Sequence, residues 1–462
     1  MPPLDDTAAL TKFHWTPQPK AHSLINAMVA EFLSRLPAAD EFADRLKHEA
    51  GVRFIDVVDF IAVPRSPQQI ERLQGVGFTH EPMPGAPDCY THKGGIFPQV
   101  LLIDGPGMKI GVKVESVADF AATHNLPPTH VIEGDPFSRF RRVLFAAGKG
   151  AELFAIERRG YRGHEPEASD PSRSLNAMRH YETFRRRPRE FENESDAYEN
   201  LMRLAEAAVK DLGADFACDL FFETEREFWQ RRNRAAQFQK ARQDRLGIGW
   251  ANHDHHTYRS SRHCFTQMIA VLEKFGFHCR ERFYAGVEAG WGAQVLEQSN
   301  AGYVVFADVD LSSDEIIGDF AHEDVLAPRA NLGTIGLWCA LHGEAMFQAG
   351  MHHLECVFDW YSLRDQMSAG GIKTMNPFTT FPYLRQAFTE GERWPVEPAR
   401  IERLLAQKLI SQEMAGIFRQ DGAIGSHLEN LERNDGFKGF NQQGVSEIIS
   451  KTDPRKANAM GA

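Results

Sequence analysis

Cysteine is scarce and unpatterned. The 462-residue chain carries six (Cys89, Cys218, Cys264, Cys279, Cys339, Cys356), none in a CxxC spacing. That excludes a zinc ribbon or a thiol redox pair and leaves free thiols in a reducing compartment as the expectation. Long apolar runs are absent as well; none approaches the ~20 residues of a bilayer span. The opening Met1-Pro-Pro-Leu-Asp-Asp lacks a basic-then-apolar signal pattern, so a cytoplasmic protein without membrane contact is expected. Positive charge is not in excess either. Against 52 bases stand 63 acids, a net charge of −11, which speaks against nucleic acid as a partner because phosphate neutralisation needs a basic surface. An arginine run, Arg185-Arg186-Arg187-Pro188-Arg189, sits among glutamates and reads as a solvated helix end.

What is present is an ordinary globular composition, 42% hydrophobic and 25% charged, which excludes fibrous and wholly disordered chains. The length suggests two or three domain-sized units. Residues 1–50 read as two helices. A β-rich stretch follows over 51–162, with strands at 53–63, 97–103, 108–115 and 151–157 and helices at 66–74 and 117–124. Residues 163–246 change to charged helical sequence, the expected link between halves. From 247 the first pattern returns. Strands are expected at 250–260, 278–288, 292–297, 302–311, 351–358 and 425–432. Helices are expected at 264–275, 362–369 and 396–416, a helical insert at 333–348 and a tail helix near 444–451.

The order strand–helix–several strands thus occurs about four times, twice per half. Val58-Asp59-Phe60-Ile61-Ala62 parallels His253-Asp254-His255-His256-Thr257, and Gly107-Met108-Lys109-Ile110 parallels Gly350-Met351-His352-His353. Phe154-Ala155-Ile156-Glu157 parallels Leu428-Glu429-Asn430-Leu431. Where the second half has His255, His353 and Glu429, this pairing puts Phe60, Ile110 and Ala155 in the first, so the first half is expected to bind no metal.

Two neutral imidazoles and one carboxylate brought together from three strands form a facial triad suited to Fe(II), with coordination positions left open. Spacing leaves the choice of donors open: His253 or His255, His352 or His353, and Glu429 with Glu297 and Glu447 as rival carboxylates. Asp254 is placed to orient an imidazole from behind. His342 and Glu344 lie two apart on a helix and read as structural. Strand period sets Arg259 on the face of His255 and Arg433 on that of Glu429, each about 13 Å further along. A guanidinium at that reach suits the far carboxylate of a small dicarboxylic acid.

Four segments, in order, resemble the 2-oxoadipate dioxygenase/decarboxylase (hydroxyglutarate synthase) family of the vicinal oxygen chelate superfamily. Asp254-His255-His256-Thr257-Tyr258-Arg259 resembles its Asp-His-x-Ala-x-Arg strand, and residues 302–312 resemble its Val-Phe segment, with Ala307 in place of the usual Ser. His353-Leu354 followed by Gly370-Gly371-Ile372 is similar to its second His strand. His427-Leu-Glu429-Asn-Leu-Glu-Arg433 with Gly439-Phe440 and residues 448–452 is similar to its closing strand and tail. The resemblance covers residues 250–452. It implies His255, His353 and Glu429 as Fe(II) ligands and Arg259 as a carboxylate anchor, with Arg433 buttressing or assisting Glu429.

The expectation is therefore an α+β chain of vicinal oxygen chelate-like βαβββ modules, four copies in two halves. Its divisions are N-terminal helices (1–50), a degenerate metal-free pair (51–162), a helical linker (163–246) and a catalytic metal-binding pair with helical inserts (247–462). The expected activity is that of an Fe(II) dioxygenase that oxidatively decarboxylates and hydroxylates a small, 2-oxoadipate-like 2-oxo acid with O₂. A homodimer is a further expectation. The alternatives are a Zn, Ni or Mn lyase, isomerase or hydrolase on the same fold, and a non-catalytic binding or scaffold protein.

Overall fold

The computed structural model describes residues 15–287, 289–323, 326–441 and 453–456. Two mixed sheets carry the chain. The first holds β1 (Val58–Pro64), β2 (Thr79–His80), β3 (Cys89–Thr91), β4 (Gln99–Ile103), β5 (Met108–Lys113), β6 (Phe140–Gly148) and β7 (Ala151–Arg158), in the order β2-β3-β4-β1-β5-β7-β6. The second holds β8 (His253–Arg259), β9 (His278–Tyr284), β10 (Trp291–Gln298), β11 (Tyr303–Asp310), β12 (His353–Val357), β13 (Thr379–Phe381), β14 (Leu384–Phe388), β15 (Glu392–Trp394) and β16 (Ala423–Arg433). Its order is β13-β14-β16-β12-β8-β11-β10-β9, with β15 on β16.

In each of four modules a strand leads into a helix, and a meander returns so that the last strand lies parallel beside the first. The parallel pairs are β1–β4, β5–β7, β8–β11 and β12–β16. The module helices are Pro67–Gly75, Val117–Thr123, Phe265–Lys274 and Trp360–Ala369. Three start on a side-chain cap: Ser66, Ser116 and Asp359 accept the amides of Gln69, Asp119 and Ser362. The modules join in pairs through the antiparallel ladders β1–β5 and β8–β12. The α+β architecture of four vicinal oxygen chelate-like βαβββ modules in two halves is present. In the second copy one strand is reduced to the bridge Glu133–Arg142. In the fourth, helices Pro398–Ala406 and Gln412–Asp421 are inserted before β16.

Helices Pro171–Arg186, Glu194–Leu212, Ala214–Gln230 and Arg234–Asp244 lie between the two sheets in sequence. Their apolar faces, with Leu201, Ala205, Phe216, Leu220 and Phe221 fully buried, join a hydrophobic core continuous through both halves. The arginine run is not a solvated helix end throughout. Arg187 is buried, donating to Glu225 at 2.8 Å and to the Met346 carbonyl at 2.5 Å, because a buried Glu225 needs a cationic partner.

Several expected boundaries move. Residues Phe54–Val57 form a helical turn rather than the start of β1. The insert expected over 333–348 is helical only from Thr334 to His342, and its carboxy end is closed by Gly343 at φ +92°. Hairpin strands β13, β14 and β15 arise where no strand was expected. The tail helix near 444–451 and Glu447 lie outside the described residues. No helix among the described residues is long and apolar enough to cross a membrane.

The ladders also correct the alignment of the halves. Phe60 pairs with Gly111 and Ala62 with Lys109, while His255 pairs with Glu355 and Thr257 with His353. Gly111 pairs in turn with Phe154, and Glu355 with Glu429. The counterparts of His255, His353 and Glu429 are therefore Phe60, Lys109 and Phe154, one residue away from Ile110 and Ala155 in two cases. Phe60 and Phe154 are buried in an apolar cluster with Ile156, and the exposed Lys109 pairs with Glu152.

Candidate metal centre

Three neighbouring strands, β16, β12 and β8, present two rows of side chains across their ladders. One row reads Glu429, Glu355, His255; the next reads His427, His353, Thr257. Strands about 4.8 Å apart bring such rows within side-chain reach. His353 Nε2 lies 3.1 Å from Glu429 Oε2, and His255 Nε2 lies 3.9 Å from the same oxygen. One donor atom from each of His255, His353 and Glu429 falls within 4.8 Å of the other two, and all three residues are buried. Thr257 Oγ1 sits 2.8 Å from His353 Nε2.

Behind His255 stands an acidic support. Its Nδ1 lies 2.9 Å from Glu355 Oε1 and 3.4 Å from Asp254 Oδ1. A bulge makes this convergence possible. The register slips between Glu355 and Cys356 so that Asp254 is the extra residue of β8, and it meets the same cluster as its neighbour His255. Arg433 clamps Asp254 with two bonds of 2.8 and 2.9 Å and gives its remaining arm to the carbonyls of Phe437 and Gly439. It makes no hydrogen bond to Glu429. Gln386 on β14 ties the two glutamates together, Nε2 donating to Glu355 Oε2 at 3.1 Å and Glu429 Oε1 at 3.2 Å.

The electrostatics follow from burial and these partners. Burial alone would depress the His255 imidazole, but Glu355 and Asp254 outweigh it and push it up to about 9. Burial and the neighbouring Glu355 push the Glu429 carboxyl well above the usual range. Burial opposes ionisation of Asp254, yet Arg433 overrides it and holds the carboxyl far below its ordinary value. Burial and the adjacent His427 depress His353 well below an ordinary imidazole. Asp254 faces the Arg433 guanidinium and the protonated His255 imidazole, while Glu429 keeps its proton. A divalent cation between Glu429 and the two imidazoles would displace both protons.

Arg259 is also buried, with Asp308 3.9 Å away and its guanidinium over the Trp338 ring at 5.5 Å. Burial lowers its pKa to about 10 and raises that of Asp308 to about 7. Its Nε and Nη1 have no hydrogen-bond partner. Phe306 and Phe440 pack on His255 at ring-centroid distances of 4.6 and 5.2 Å, and Phe388 on His353 at 5.3 Å.

Of the rivals, His352 packs beside His353 with ring centroids 5.4 Å apart, while His253 and Glu297 lie elsewhere. His253 stacks on Tyr303 at 5.1 Å, and Glu297 pairs with Arg280 and Lys438. His342 faces the Ile424 carbonyl, and Glu344 accepts the Ser261 amide. A cavity of about 480 Å³ opens behind the centre. It is lined by Asp254 and Arg433 and by their first-half counterparts Asp59 and Arg158, but by none of the three converging donors. Glu355 and Gln386 were not anticipated from the sequence. The His353-x-Glu355 alternation on one strand face was the available signal for the first; Gln386 had none, because its hairpin went unrecognised.

No family model and no curated protein matches the chain. Among solved structures it is similar to methylmalonyl-CoA epimerase from Mycobacterium tuberculosis, at 12% identity and TM-score 0.23, over 40% of this chain and 88% of that one. It is similar to a mutant 4-hydroxymandelate synthase from Streptomyces coelicolor, at 11% identity and TM-score 0.28, over 74% and 96%. A xylose isomerase-like TIM barrel/4-hydroxyphenylpyruvate dioxygenase fusion protein matches at 10% identity and TM-score 0.24, over 91% and 57%. The fold assignment rests on the strand order and registers above, not on these low scores.

Proposed function

We propose that this protein is a mononuclear non-haem Fe(II) dioxygenase that oxidatively decarboxylates and hydroxylates a small 2-oxo acid. The observation that carries the reading is the meeting of His255 Nε2, His353 Nε2 and a Glu429 oxygen in one buried corner. Two imidazoles and one carboxylate fit Fe(II) and leave positions for a chelating acid and O₂. When bound, the iron supplies one-electron chemistry with O₂, and the substrate's own 2-oxo carboxylate supplies the electrons.

The chain's residues do the rest. Asp254 accepts the Nδ1–H of His255 and Glu355 Oε1 stands 2.9 Å from the same nitrogen as an ion-pair partner, which fixes the tautomer and turns the Nε2 lone pair toward the metal corner. Arg433 holds Asp254 ionised and fixed. Thr257 and Glu429 hold His353 Nε2 in the same corner. Arg259, buried with unpaired donors, receives the far carboxylate of a dicarboxylic acid, where desolvation strengthens a charge-assisted bond. Phe306, Phe388 and Phe440 line the imidazoles with apolar surface.

The test is an anaerobic-to-aerobic screen of Fe(II)-loaded protein against a panel of 2-oxo acids, reading O₂ uptake and CO₂ release. Matched O₂ consumption and CO₂ release with Fe(II), absent with Zn(II), supports the reading. Turnover with Zn(II) and no O₂ consumption replaces it with Lewis-acid chemistry.

A further inference from the structure

His427 is 1% exposed, and neither of its ring nitrogens has a hydrogen-bond partner. The ring is wedged against Phe388, His352 and His353, with centroids 4.2, 4.5 and 5.2 Å away. A buried polar atom without a partner is unfavourable, so a bare lone pair here calls for a ligand. His352 adds a second sign. Its Nδ1 donates to the Gly425 carbonyl at 3.0 Å, which leaves Nε2 as a free lone pair. An imidazole whose far nitrogen is tied to a backbone carbonyl has the arrangement metal-binding histidines adopt. His353 is a third. Its Nε2 serves Thr257 and Glu429, while its Nδ1 is buried and unpartnered. One nitrogen from each of the three rings lies within 4.8 Å of the others.

We propose that His352, His353 and His427 form a second transition-metal site, beside the first and sharing His353 with it. The donor set decides the class of ion. Three neutral nitrogens do not suit Mg²⁺ or Ca²⁺, which take oxygen ligands, but do suit Zn(II), Co(II), Ni(II) or Cu(I). Arg259 acts electrostatically on all three rings. A divalent ion here therefore takes an anionic fourth ligand, which the unpaired Arg259 donors stabilise. This site shares with the dioxygenase reading the His353 ring and the Arg259 guanidinium, and rests on neither the iron nor the substrate of that reading.

The experiment is anaerobic titration of metal-free full-length protein with Co(II) and Zn(II). Bound metal is counted by elemental analysis after desalting, and Co(II) is followed by its visible absorption. Wild type is expected to hold two equivalents. His427→Phe, which keeps the ring volume, and His352→Phe are each expected to hold one, as is Glu429→Gln. The double variant Glu429→Gln/His427→Phe is expected to hold none. A wild-type protein that takes up one equivalent and keeps it in His427→Phe overturns the second site, and so does His427→Phe protein that keeps two. The wild-type count needs no variant to fold. Loss of one equivalent in His427→Phe with none lost in Glu429→Gln overturns the first centre and leaves the second standing.

Discussion

Arg433 and Asp254 form a two-bonded ion pair that recurs in the first half as Arg158 and Asp59, with bonds of 2.7 and 2.8 Å to the two carboxylate oxygens. In both halves the acid is the extra residue of a bulge, at Asp59 between Val58 and Phe60 and at Asp254 between His253 and His255. The clamp has therefore persisted in the half whose donors are replaced by Phe60, Lys109 and Phe154. This separates two roles: the pair shapes the module, and under the proposed function the neighbouring His255 and Glu429 carry the chemistry.

Removing the guanidinium leaves Asp254 buried and unpaired. Arg433→Met is expected to lose about 3–5 kcal/mol of stability, the cost of breaking a buried pair on one side. Arg158→Met is expected to behave alike in stability but to leave metal binding intact. Denaturant unfolding and metal titration of both variants check this.

Glu355 touches His255 only through Nδ1, so it acts on the metal indirectly. Glu355→Gln keeps the shape but weakens the acceptor, and metal affinity is expected to fall about 10- to 100-fold. Competition with a chromophoric chelator measures it. Unchanged affinity would remove Glu355 from the centre.

Arg259→Ala removes the unpaired donors that the proposed function assigns to the substrate's far carboxylate. A loss of about 2–3 kcal/mol in substrate binding is expected for a charge-assisted bond, appearing as a raised KM for dicarboxylic 2-oxo acids and little change for monocarboxylic ones. Steady-state kinetics across both classes tests the assignment.

The metal-free centre has a defined pH response. The folded pKa of His255, about 9, lies above its unfolded value near 6.5. Its protonated form therefore adds stability that is complete below pH 6.5 and is lost as pH rises through 9. Metal binding must expel that proton, so affinity is expected to climb from pH 6.5 to 9. Unfolding of the metal-free protein and metal affinity should thus move in opposite directions over the same window.

Much of the fold was legible where a β-branched strand is followed by a capped amphipathic helix, as in Val58–Val63 and Ser66–Gly75. The short hairpin of β13 and β14 was not, since its three- and five-residue strands carry too little alternation to register. Residue pairing between halves slipped by one because short similarities cannot see a ladder. Only the register ties Gly111 to Phe154 and Glu355 to Glu429. The histidines stood out in the sequence, but parity treats His253 and His255 alike. The bulge at Asp254 sends them to different neighbours, His253 to Tyr303 and His255 to Glu355. A bulge leaves no mark in hydrophobic periodicity, so the acid support behind His255 became visible only in three dimensions.

The most direct measurement is a crystal of the protein loaded with Zn(II) or Fe(II), with an anomalous difference map collected at the metal edge. The account predicts a peak about 2.0–2.2 Å from His255 Nε2, His353 Nε2 and a Glu429 oxygen together. A fully loaded crystal with no density between those three atoms would contradict it.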